Sequence, residues 1–470
     1  MLIQRSVINL FLLGALALPA AGKEIHQPQA AAGMPGDTTR KEGGKELYLP
    51  PKVWRVPEQN RYDQDTSEFS YSRMAQSENL ALFWSKEFGA DPALNPDPSK
   101  RFLIKEALQE CERFYDCYVN KLRFVEKGRS VTDRYKVLFY VIGGKGGTAF
   151  GGGAEKKIGV LWTPAARMNK APYGALAHEL GHSFQYLVSA DGAWGFTSAP
   201  EGSRGQSIFE MTSQFMLWQV YPEWMTFENY HLVDFMKKTH YAFLHETNQY
   251  HSPYVLEYWA QKHGIDFIGK LWRKAEKGED AVMAYKRLTG ISQQQFNDEL
   301  FDAYRRFITW DLPRVEKVAA RYANQHKTSL NAQPEGWFRI AASHCPQNYG
   351  YNGIQLQVPA GGTKVTLRFR GLAGTEGFRT MKTEKAGWRY GFVAVREDGS
   401  RVYGKTEAAA EGTSTFKIPK GTKYLWLVVS GAPTEHWEHL SDGKDENDEQ
   451  WPYQIQLTGT APDATVLVHP

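Results

Sequence analysis

The sequence predicts an α+β domain followed by an all-β domain of sandwich or jelly-roll type. Three observations predict it. Between about residues 66 and 328, apolar runs of strand length give way to longer helical patterns. Beyond about 330 the runs shorten, are rich in β-branched and aromatic residues, and are split by turn signals such as Asp398-Gly399. The composition is that of a globular protein: 470 residues, 42% hydrophobic and 23% charged, enough for more than one core.

Residues 1–22 read as a secretory signal, with Arg5, an apolar stretch from Val7 to Leu18 and small residues at Ala20-Ala21-Gly22. That stretch is shorter than the ~20 residues of a membrane span. The mature protein is therefore expected to be exported and free of the membrane. Residues 23–65 read as a disordered linker or propeptide-like arm, with Trp54 as a potential anchor on the body.

The α+β domain, residues 66–328, is expected to open with a strand at Asn79–Trp84 and a helix from Lys100 to Arg123. A buried strand follows at Tyr135–Ile142, then a glycine-rich loop from Gly143 to Gly153 and a strand at Ile158–Trp162. Pro172 is placed to open the helix that carries His178 and His182. Further helices are expected at about 205–221, 229–247, 253–263, 265–277 and 293–310. Residues 329–462 form the β domain, with strands at Lys364–Phe369 and Tyr424–Val429, and 463–470 form a tail.

A net charge of +4 with no basic block argues against a general affinity for nucleic acid. Cys111 and Cys117 lie in the expected helix, where their separation along the axis of about 9 Å is too long for a disulfide. Cys345 is a potential partner for either, so at least one thiol stays free.

The chemistry concentrates at His178-Glu179-Leu180-Gly181-His182. On a helix, histidines at i and i+4 share one face, so two imidazoles can bind one Zn2+ ion. Glu179 beside them can act as general acid/base on a water whose pKa zinc lowers towards ~7. Glu210, on the next expected helix, is favoured as third ligand over Glu201, which sits in an expected loop. Gln185 and Val188 stand where the metzincin pattern requires Gly and a third His.

HExxH with a helical downstream Glu resembles the gluzincin metallopeptidases, and Glu210-Met211-Thr212-Ser213-Gln214 looks like their Glu-x-x-Ser-Asp element. That resemblance implies that Gln214 accepts a hydrogen bond from a ligand histidine, in place of the family's Asp. Ala177–Gln185, the Glu210 helix through Pro222, and Leu256-Glu257-Tyr258-Trp259 together resemble the secreted HExxH group that includes the Svx and AvrXca virulence or avirulence proteins of plant pathogens. This implies a zincin-like core and an exported, host-directed protein.

A hydrolase of this type needs a donor for the developing oxyanion. Tyr250, His251, Tyr254 and Tyr258 form the pool, with His251 preferred and Tyr254 second. The glycine-rich loop reads either as a flexible wall of the cleft or as a mobile hairpin, and the strand at Ile158–Trp162 as a place where an extended substrate adds as a strand. His436, Glu438 and His439 with the acidic run from Asp442 to Glu449 raise the question of Ca²⁺, although a solvated acidic loop fits the spacing better. Trp337, Trp388, Trp437 and Trp451 fit either sugar stacking or sandwich packing.

The leading reading is a secreted zinc metallopeptidase acting on extracellular protein, with host protein as one candidate. The alternatives are a glycoprotein-directed peptidase whose β domain binds carbohydrate, or a weakly catalytic secreted binding protein. Nothing in the sequence specifies an oligomeric state.

Overall fold

The computed structural model describes residues 38–39, 44–144, 147–250 and 253–468. The expected signal segment and His251 lie outside them. A short pair, β1 (Thr38–Thr39) and β2 (Leu47–Tyr48), precedes the main sheet. That sheet comprises β3 (Met74–Gln76), β4 (Leu80–Trp84), β5 (Val137–Ile142), β6 (Phe150–Ala154) and β7 (Ile158–Pro164). Its order is β3-β4-β5-β7-β6; the central β4, β5 and β7 are parallel and both edge strands antiparallel.

The central strands are buried on both faces, which is why they read as unbroken apolar runs. Side chains alternate across the sheet. Val137, Phe139, Val141 and Leu161 face α1 (Ile104–Asp116) and the later helices. Leu138, Tyr140, Val160 and Trp162 face the opposite way and are covered by Leu47, Leu49, Val53 and Phe69. Residues 44–65 are thus no free arm. Their few apolar side chains close the second face of the sheet, and Trp54 packs edge-on against Phe150 and Trp162.

After the sheet come α2 (Gly174–Ala190), α3 (Ile208–Val220), α4 (Trp224–Phe227), α5 (Asn229–Phe235), α6 (Tyr254–His263), α7 (Phe267–Lys274), α8 (Ala281–Thr289), α9 (Gln293–Phe307) and α10 (Pro313–Ala319). The helix expected at 229–247 stops at Phe235, and α8 was not expected. Asp280 caps α8, its Oδ1 accepting the Val282 and Met283 N–H groups at 2.9 Å each.

The C-terminal strands are β8 (Leu330–Ala332), β9 (Trp337–Ile340), β10 (Tyr351–Leu356), β11 (Lys364–Gly371), β12 (Trp388–Arg396), β13 (Arg401–Tyr403), β14 (Glu411–Lys417), β15 (Thr422–Gly431) and β16 (Tyr453–Thr458). They form two antiparallel sheets, β10-β15-β12-β13 and β14-β11-β16-β9-β8. Ile354, Phe392, Leu427, Leu367 and Ile455 belong to the core between them. Val393, Val395, Trp426 and Val428 point the other way and join the helical core with Phe301 and Trp310. The β domain is therefore cemented to the helices through a whole sheet face.

The expected tail returns to this domain, since Leu467 bridges Leu330. All three cysteines are free. No helix among the described residues is long and apolar enough to cross a membrane.

Candidate metal centre

Two helices build the centre. Gly181 of α2 faces α3 so closely that a Cβ there would lie 3.0 Å from Ser213 Oγ. That approach brings the His178–His182 face of α2 against the first turn of α3, where Glu210 stands. His178 Nε2 lies 3.0 Å and His182 Nε2 3.3 Å from Glu210 Oε2, and the two nitrogens are 3.2 Å apart. Ligands about 2.0–2.1 Å from a tetrahedral ion are separated by about 3.3 Å, so this donor set fits zinc. Glu201 is exposed in a turn and takes no part.

The support around His182 differs from the expectation. Gln185 Oε1 lies 3.0 Å from His182 Nδ1, while Gln185 Nε2 donates to the Phe209 carbonyl at 2.8 Å and to Ser213 Oγ at 3.1 Å. With the amide anchored by its N–H groups, its oxygen accepts from Nδ1–H. The Nε2 lone pair is then left for the centre. Gln214 does not fill this role: its Nε2 points to the Tyr250 carbonyl at 3.5 Å, and its Oε1 has no partner among the described residues. Gln185 sits one turn after His182 on the same helix, and that spacing was the legible signal.

Charge in the centre is strongly coupled. Burial alone would lower the His182 pKa, but Glu210, then Glu179 and Gln185, raise it to about 9. Burial would likewise raise Glu210, yet the two histidines hold it well below the usual carboxylate range. Glu179 is raised by burial and by Glu210, against the opposing effects of His178, His182 and the Gly151 N–H that donates to it.

Gly151 belongs to β6, whose residues the sequence reading assigned to a loop. A Cβ at Gly151 would lie 1.8 Å from the Glu179 carbonyl oxygen, and one at Gly153 would lie 2.0 Å from the Tyr186 ring. Glycine is required because the strand runs against α2 with no room for side chains. The strand expected to receive substrate, Ile158–Trp162, is paired on both sides; β6 is the edge strand beside Glu179.

Of the proposed oxyanion donors, Tyr254 is buried, with its ring 4.5 Å from that of Trp310 and 5.1 Å from that of Trp218. Its spacing put it on the core face of α6, so it cannot serve. Tyr258 donates to Asp302 at 3.0 Å instead. Tyr250 is the one that approaches the centre: its ring is 6.2 Å from that of His178, and Glu210 and Glu179 are the charges that act on its phenol. Burial, Glu210 and Glu179 all keep that phenol protonated.

His245, Glu246 and His439 form a second group with metal-ligand potential. Here the Thr247 N–H donates to His245 Nδ1 at 2.9 Å, so Nε2 carries the proton and meets Asp448 Oδ2 at 3.0 Å. Neither ring nitrogen of His245 retains a lone pair for a cation. His439 Nε2 contacts Glu246 Oε2 at 3.0 Å. These pairs join the helical and β domains, and His439, Asp448 and Glu449 are buried. The acidic run is thus in part interface, not a wholly solvated loop.

The four tryptophans weighed for sugar stacking are committed to packing. Trp388 and Trp451 lie in the sandwich core, Trp337 under Arg368 and Arg370, and Trp437 under Lys382 and Lys385.

The chain belongs to a family of unknown function, DUF6055, matched over residues 39–464. No curated protein matches it. Among solved structures it is similar to the M60 catalytic domain with two CBM51 domains of Clostridium perfringens ZmpB, at 9% identity and a TM-score of 0.27, covering 84% of this chain and 60% of that one. It is also similar to the family 22 carbohydrate-binding module of Clostridium thermocellum Xyn10B, at 11% identity and a TM-score of 0.17, covering 28% of this chain and 74% of that one. Likenesses this weak assign neither fold nor activity.

Proposed function

We propose that the protein is a secreted, zinc-dependent metallopeptidase with a zincin-like catalytic domain, acting on extracellular proteins. One observation carries the reading: His178 Nε2, His182 Nε2 and Glu210 Oε2 converge within 3.0–3.3 Å, with Glu179 beside them. His178, His182 and Glu210 would hold the ion. When bound, zinc would supply Lewis acidity to the attacked carbonyl and acidify a water. Glu179, oriented by the Gly151 N–H and with its pKa raised by burial, takes the proton from water and returns it to the leaving amine. Tyr250 donates a hydrogen bond to the oxyanion, in place of the buried Tyr254. The β6 edge offers backbone groups along which an extended peptide can lie. Export rests on the signal-like residues 1–22, and the likeness to the Svx and AvrXca group makes host proteins the first substrates to try.

The test pairs metal content with peptide cleavage. Wild type is expected to hold about one zinc per chain and to cleave members of a proteome-derived peptide library. His182→Ala should lose the zinc. Glu179→Gln should keep it and lose activity by roughly 10²–10⁴-fold. Equal cleavage by wild type and Glu179→Gln would sink the proposal.

A further inference from the structure

Two lines of contact lead outward from the candidate metal centre, and both end on exposed aromatic rings. The first runs from ring to ring. Tyr250 lies 6.2 Å from His178 on one side and 6.4 Å from His231 on the other, and His231 lies 4.0 Å from Tyr230. The second runs along α2, where Gly174, His178 and His182 share one face at successive turns. A Cβ at Gly174 would lie 2.4 Å from the Trp224 ring, so Trp224 covers that face one turn before His178. The Phe227 ring lies 4.8 Å beyond Trp224.

Phe227 and Tyr230 stand three residues apart, where α4 gives way to α5. They are 64% and 58% exposed, while Trp224 behind Phe227 is half-buried. A single apolar side chain on a surface needs no explanation. Two large rings exposed together beside a candidate catalytic centre call for a partner that covers them.

The polar groups between these rings are committed inward. Glu228 Oε2 accepts the Trp224 indole N–H at 2.9 Å and lies 3.7 Å from His231 Nε2, and Asn229 Nδ2 donates to the Tyr322 hydroxyl at 3.0 Å. The charges near the Tyr230 phenol are of both signs: burial and Glu228 raise its pKa, and Arg167 opposes them. The surface therefore offers ring faces, with no one charge to select a cation or an anion.

We propose, on the metallopeptidase reading, that Phe227 and Tyr230, backed by Trp224, form a shelf that takes an aromatic side chain of the peptide to be cleaved. Aromatic pairs in offset or edge-on contact gain more than the area they bury. Trp224 is seated on the same rigid helix that carries His178, so the offset between shelf and ion is fixed. The selected residue must then lie at one set position relative to the bond under attack.

The experiment uses the full-length zinc-loaded protein with the proteome-derived peptide library, followed by synthetic pairs differing only in Phe or Ala at the selected position. Wild type is expected to cleave peptides with Phe, Tyr or Trp at one set position, and the Ala peptide should have a kcat/KM about 10–100-fold lower. In Phe227→Ala/Tyr230→Ala the two peptides should be cleaved with kcat/KM values within about threefold of each other, zinc being retained. Both rings face water, so their removal should leave the fold intact; Tyr230→Ala alone carries the test should the double variant not fold.

Peptide capture separates the shelf from the chemistry. The same library is passed over immobilised Glu179→Gln protein, with and without the two shelf substitutions. Captured peptides should be enriched in aromatic residues only when the shelf is intact. If wild type cleaves nothing, the metallopeptidase reading fails and capture alone decides the shelf: enrichment that needs the two rings upholds it, and equal capture overturns it. A library cut without aromatic preference, a preference that survives the double substitution, or selection of glycosylated peptides through the same rings would each overturn the proposal.

Discussion

Two clusters in this protein contain the same residue types, histidine and carboxylate, at nearly the same spacing. At α2–α3 the His–Glu contacts are 3.0 and 3.3 Å; at the domain boundary the His245–Asp448 and His439–Glu246 contacts are both 3.0 Å. What separates them is the partner on the far side of one ring. Gln185 offers an oxygen to His182 Nδ1, so the neutral ring keeps its proton there and turns the Nε2 lone pair to the centre. Thr247 offers an N–H to His245 Nδ1, so the proton moves to Nε2 and the ring becomes a donor. One arrangement leaves a lone pair that can take a metal ion; the other fastens two domains. Residue identity and distance do not distinguish them, and tautomer does.

The contrast can be broken or sharpened in three further ways. The largest effect is expected at Tyr250, whose ring lies 6.2 Å from that of His178. Tyr250→Phe should lower kcat by about 10²–10³-fold with one zinc per chain retained, the cost of one oxyanion donor. A kcat within twofold of wild type would remove Tyr250 from that role. Next comes Gln185→Leu, which takes away the oxygen that sets the His182 tautomer. Zinc affinity measured in metal buffers should fall about 10–100-fold, with the fold intact by circular dichroism. An unchanged affinity would mean that the far-side partner does not govern the site. The smallest effect is expected at His439→Gln, which should leave zinc content and activity unchanged and lower Tm by roughly 1–4 °C through loss of the charged bond to Glu246. Loss of a zinc equivalent in that variant would show that the boundary cluster is a metal site after all.

The parts that were legible share a physical cause. His178, Glu179 and His182 lie within one helical turn, so a fixed 3.6-residue period is enough to place them together. Glu210 could be chosen over Glu201 because a helix was visible around it. The choice of Tyr254 over Tyr250 failed because both lie near the start of α6, and only packing places the Tyr254 ring in the core and the Tyr250 ring beside His178. The β6 strand was hidden for a similar reason. Its glycines carry no strand preference of their own and are explained by the helix pressed against them.

The sequence by itself determined the helix that bears the motif, the apolar central strands and the change to β structure near residue 330, all of which follow from local periodicity. The tertiary structure decided which amide holds His182, which tyrosine lies beside His178, that residues 44–65 close a sheet face, and that His245 is a donor. Each of these depends on a partner far along the chain or on the course of a turn. Hydrogen-bond direction is a property of such pairs, and no single segment carries it.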